Sequence, residues 1–103
     1  MKTLLITLAA LFLLTACSRK TTDKDARAIE ANLGQLSVAA LQIMLENGQP
    51  EVRFDEIVGE GRYIREVKAV NGESYQSLVF TSKTTSVSVS ARDGRKITYR
   101  IGP

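Results

Sequence analysis

Between Asp23 and Asn47 the apolar residues Ala26, Ile29, Leu33, Leu36, Ala40 and Ile43 recur at alternating spacings of three and four. Only an α-helix brings such positions onto one face. Thr22 or Asp23 is placed to cap its start, with Asp25 in the first turn complementing the helix dipole. Asn47-Gly48 closes it, because glycine suits the left-handed position after a helix, and Pro50 blocks continuation. Gly34, in the middle, costs about 1 kcal/mol relative to alanine and marks a kink or a close contact. From Leu36 onward the helix is apolar nearly all round. That composition predicts a C-terminal half lying against a sheet and an N-terminal half standing partly clear of it.

The chain begins with Lys2 and an apolar run from Leu4 to Leu14, followed by Leu14-Thr15-Ala16-Cys17. The run is shorter than the roughly 20 residues of a membrane-spanning helix and suits the core of a secretory signal. The tetrapeptide resembles the lipobox of bacterial lipoproteins. That resemblance implies cleavage before Cys17 and triple acylation of Cys17, through a diacylglycerol thioether and an amide-linked palmitate-type chain. Two or more chains hold a protein stably on a bilayer. Ser18 after the cysteine implies an outer-membrane lipoprotein facing the periplasm. The expected organisation is a signal peptide over 1–16, a lipidated tether over 17–22 and one helix-plus-sheet domain over 23–103.

Without residues 1–16 the chain has 13 basic and 11 acidic residues, a net charge of +2. This mild balance does not point to nucleic acid. There is no histidine and no tryptophan, and the one cysteine is Cys17. The commonest general base and metal ligand is therefore missing, and no disulfide is available. Arg19, Lys20, Lys24 and Arg27 lie close to the anchor, within reach of anionic headgroups.

Residues 49–66 read as a connector: Val52 and Phe54 begin a short strand, Asp55 to Val58 form a helical turn closed by Gly59, and Tyr63 and Ile64 return to the core. Strands are then expected over Glu66–Val70, Leu78–Thr81, Thr85–Ala91 and Lys96–Ile101, with a turn at Asn71-Gly72. The last two strands allow a choice of register. A two-residue Asp93-Gly94 loop would oppose Val89 to Thr98, mixing apolar and polar residues on one face. A three-residue loop, Arg92-Asp93-Gly94, opposes Val89 to Ile97 and Val87 to Tyr99. Because the hydrophobic pattern sets register, the second arrangement is expected, with Gly94 left-handed. The fold class is therefore α+β: one long N-terminal helix packed on one face of a small antiparallel sheet of three or four strands.

The helix with Asn32-Leu33-Gly34-Gln35-Leu36, then Glu46-Asn47-Gly48, then Phe54-Asp55-Glu56-Ile57-Val58-Gly59 with Tyr63-Ile64, and a small β-meander resemble the globular part of type IV pilins and type II secretion pseudopilins. The resemblance covers about residues 25–101 and implies a helix-on-sheet head without catalytic residues. It stops at the N-terminus, where a lipobox stands in place of the prepilin cleavage site and its long apolar segment.

Candidate chemistry is sparse. Ser and Thr are numerous, but no histidine is present to activate one. Asp55, Glu56 and Glu60 are close in sequence, yet lack the alternating spacing of a calcium loop, and read as a solvated acidic turn. No cofactor or metal is expected. Lys83, Arg92, Arg95, Lys96 and Arg100 make the β-rich end basic, chiefly as surface and edge charge. Arg92, Arg95, Lys96 and Arg100 are the candidate weak contact surface for an anionic glycan, nucleic acid or an acidic partner. The expected function is that of a non-enzymatic, lipid-anchored envelope protein with a pilin-like interaction domain, accessory to a pilus or secretion assembly. Its partner would dock on a stripe at Ala26, Ile29 and Leu33 left open in the monomer. The alternative is a small periplasmic ligand-binding or inhibitor lipoprotein using the exposed sheet face, which would show a concave apolar pocket.

Overall fold

The computed structural model describes residues 20–101. Cys17 and the lipobox lie outside the described residues. Helix α1 spans Asp23–Asn47. Thr22 is its cap: the Thr22 Oγ1 accepts the Asp25 amide at 3.1 Å, and the Asp25 carboxylate accepts the Thr22 amide at 3.2 Å. This reciprocal pair satisfies two donors that the helix start would otherwise leave open. At the other end Gly48 is left-handed, with φ 66°, and its N–H reaches the Met44 carbonyl.

Strand β1 (Glu51–Arg53) leads directly into the one-turn helix α2 (Phe54–Ile57), and strands β2 (Val79–Thr81), β3 (Ser86–Ser90) and β4 (Lys96–Arg100) follow. The expected α+β architecture is present. Its four antiparallel strands form two separate two-stranded ladders, β1 with β2 and β3 with β4. In the second ladder Val87 faces Tyr99 and Val89 faces Ile97. The Ala91 N–H donates to the Arg95 carbonyl at 2.9 Å, and Gly94 has φ 90°. The three-residue loop is therefore the one adopted. It keeps Val87, Val89 and Ile97 in the core while Ser88 and Thr98 share the solvent side.

Glu66–Val70 is not a strand. The Val70 and Asn71 amides, which a ladder would have used, donate instead to the Glu73 carboxylate at 2.7–2.9 Å. A charged acceptor three residues away outcompetes strand pairing for these donors.

Helix α1 packs against β4, β1, α2 and β2. The core is built from Ile29, Leu33, Leu36, Val52, Ile57 and Phe80, each less than 2% exposed. Burial along α1 does not divide as expected: both halves contribute to the core. In the N-terminal half Ala26, Ile29 and Leu33 are buried, so they form core and not an open docking stripe. In the C-terminal half Leu36, Ala39, Ala40 and Ile43 are buried, but Val38, Leu41 and Leu45 are 64%, 52% and 76% exposed. The two small ladders cover one side of the helix only. The extra apolar positions of the C-terminal half fall on the side they leave open.

Candidate functional site

Two features stand out: a polar seam at the N-terminal end of α1 and an apolar face on its C-terminal half. The seam begins at Thr21, which is buried. Its amide donates to Asp93 Oδ2 at 2.6 Å and its hydroxyl to Asp93 Oδ1 at 2.7 Å. Asn71 Nδ2 donates to the same hydroxyl at 3.1 Å. Arg95 donates its own amide to Asp93 Oδ1 and its guanidinium to the Thr21 carbonyl, and stands 3.6 Å from Asp23. Thr21 and Thr22, expected in the tether, are thus fixed to the folded domain.

Behind Asn71 the seam continues inward. Glu73 is buried and accepts the Val70 and Asn71 amides and the Tyr75 hydroxyl. Asn32 of α1 donates to the Tyr75 oxygen at 3.1 Å. Burial pushes the Glu73 carboxyl up, but the hydrogen bonds from Tyr75 and the two amides outweigh it and leave the group below its usual range. Tyr75 is held protonated by burial and by Glu73. The two Thr21 bonds and the Arg95 amide lower Asp93 to about 2. Each carboxylate is therefore an ionised acceptor that ties segments together. Among the described residues no buried side-chain polar atom lacks a partner.

Of the basic residues, Arg92, Arg95 and Lys96 sit at the β3–β4 turn, beside Thr21 and therefore beside Lys20 and the first turn of α1. Arg100 does not join them. It pairs with Ser86 at the opposite end of the ladder, four residues and about 13 Å along the strand. The acidic turn is also dispersed. Glu56 is held below its usual range by Gln49 and the Arg53 amide, Asp55 and Glu60 are exposed, and no three metal-ligating side chains converge among the described residues.

The second feature is Val38, Leu41 and Leu45, spaced three and four apart on the open side of α1. From Ala31 to Leu45 the helix has no charged side chain. Tyr63, 47% exposed, stands beside this face and donates its hydroxyl to Glu46. A shallow hollow of about 600 Å³ runs along its flank, lined by Gly34, Gln35, Val38, Tyr63, Ile64 and Tyr99. Gly34 lets Tyr99 close on the helix, since a Cβ there would stand 3.2 Å from the Tyr99 ring. Sequence reasoning missed this face because an all-round apolar helix does not say which side is covered. The signal available was the absence of charge over fifteen residues of a helix that two short ladders cannot surround. Compared with protein-family models, with curated proteins and with solved structures, the chain finds no match.

Proposed function

We propose that this chain is a non-enzymatic, lipid-anchored envelope protein, held through acylated Cys17 on the periplasmic side of the outer membrane, whose domain docks a protein partner. The observation that carries the docking half is the uncharged face of Val38, Leu41 and Leu45 beside Tyr63. Exposed leucines at helical spacing, free of charge and next to an aromatic, have the make-up of an interface core. An amphipathic helix of the partner, laid into the hollow against Gly34 and Tyr99, would bury them. The partner face is thus moved to the side of α1 opposite Ala26, Ile29 and Leu33. By the pilin-like resemblance, the partner is a component of a pilus or secretion assembly.

The test has two parts. Cys17→Ser is expected to release the protein from the membrane fraction, and persistent membrane association would sink the anchor. Pull-down of the lipidated protein from its native envelope is expected to recover an assembly component, and Leu41→Asp to lose it. Recovery that is indifferent to Leu41→Asp would sink the docking face.

A further inference from the structure

The charge of the domain is divided between its ends. Residues 20–27 and 92–96, which the Thr21–Asp93 bonds bring together, hold six basic and three acidic residues, a net of +3. Residues 46–62 lie at the far end of α1, and the pairing of Thr81 with Glu51 brings Lys83 beside them; together they hold five acidic and three basic residues, a net of −2. The helix between them is about 37 Å long. Glu46 is tied to Tyr63, and Glu56 to Gln49, so the acidic segment stays at that end. The charge separation is therefore a fixed property of the fold.

Thr21 is also the residue at which the segment before α1 is fixed to the folded domain. Four Cα steps separate it from Cys17, a reach of about 14 Å at full extension. With Thr21 buried and bonded, none of the domain behind it adds slack. We infer that the domain stands on its basic end, with Lys20, Lys24, Arg92, Arg95 and Lys96 against an anionic lipid headgroup surface and the acidic end of α1 pointing away. This inference rests on the lipid-anchor reading. Basic side chains beside an anionic leaflet are each favourable, and the effect fades within a Debye length. The short tether keeps them within that range, and an orientation that turned the acidic end to the leaflet would be repelled. The apolar face at Val38, Leu41 and Leu45 is then held off the bilayer, open to a partner from the side.

The full-length lipidated protein, reconstituted in vesicles of phosphatidylcholine and phosphatidylglycerol, tests this. Its own cysteine is consumed by the lipid, so single cysteines take a fluorophore at Ser90→Cys beside the basic end, Gln42→Cys on the apolar side, or Glu60→Cys at the acidic end. A headgroup-attached quencher is expected to quench the Ser90 label several-fold more than the other two. That preference is expected to collapse with Lys20→Glu, Lys24→Glu and Lys96→Glu combined, in protein whose circular dichroism is unchanged. It is also expected to collapse at about 1 M salt, where the Debye length is about 3 Å. Equal quenching at the three positions overturns the orientation, and strongest quenching at Gln42 overturns it in favour of the apolar face lying on the bilayer. A chain that washes off the vesicles overturns the anchor as well.

Discussion

Thr21 and Asp93, 72 residues apart, are joined by two hydrogen bonds of 2.6 and 2.7 Å to the two oxygens of one carboxylate. This clasp closes the domain by fixing the segment before α1 to the β3–β4 turn. It also makes the closure sensitive to acid. The Asp93 carboxyl, ordinarily near 3.8, is lowered to about 2 by the Thr21 bonds and the Arg95 amide. A group whose folded pKa is depressed contributes stability above its unfolded pKa and loses it as pH falls through the folded one. The clasp is therefore complete above pH 3.8 and lost as pH falls toward about 2. The Thr21 amide resonance is expected to titrate with a midpoint near the lower value. A midpoint at the ordinary aspartate value would show that the bonds do not form in solution.

Glu73→Gln should be more damaging than its near-identical shape suggests. Two amides and the Tyr75 hydroxyl converge on the carboxylate. Glutamine offers one oxygen, and its amide group would oppose donors. Leaving a buried donor unsatisfied costs about 1–3 kcal/mol. Urea denaturation is expected to show a loss of that size. An unchanged midpoint would mean that water readily replaces the carboxylate there.

These two carboxylates mark where the sequence stopped being informative. The bounds of helix α1 were legible, because its periodicity and closing glycine are local signals, while the choice of Thr22 over Asp23 as cap waited on the capping box seen in the structure. The β3–β4 register was legible because only one pairing keeps Val87 and Val89 opposite apolar partners. The Glu66–Val70 segment was misread because Val67 and Val70 favour a strand, while Glu73 takes the amides a strand would need. The Thr21–Asp93 clasp had no local signature at all: a threonine before a cap and an aspartate in a turn are each sufficient as local features. The candidate contact surface was half legible. Arg92, Arg95 and Lys96 are held together by adjacency, but only the ladder register shows that Arg100 points to the other end.

Gly48 and Gly72, two of the left-handed glycines, should differ in their tolerance of alanine. Both have φ near +70°, which disfavours any side chain by about 1 kcal/mol. At Gly48 a Cβ meets nothing within 4 Å, so Gly48→Ala should cost about that much and no more. At Gly72 it would stand 2.9 Å from the Arg92 Cβ, which is near the backbone and cannot swing away. The Arg92 amide is itself bonded to the Asn71 carbonyl at 2.8 Å, so the crossing must open for the methyl to fit. Gly72→Ala is expected to lower stability clearly more than Gly48→Ala in the same denaturation assay. Equal losses would indicate that the crossing is loose.

The open face of α1 makes a prediction that separates folding from docking. Leu36 and Leu41 are five residues apart on one helix, one of them fully buried and the other 52% exposed. Leu36→Ala removes core contacts and leaves a cavity, at a cost of about 2–5 kcal/mol. Leu41→Gln removes little that folding has buried and puts a good helix former on a solvated surface, so its cost should stay within about 0.5 kcal/mol. If Val38, Leu41 and Leu45 serve a partner, Leu41→Gln should weaken capture of that partner while leaving the thermal midpoint in place. A large drop in midpoint for Leu41→Gln would show instead that this face is already covered within the chain. The apolar run of α1 would then be core all round, as its composition alone suggests.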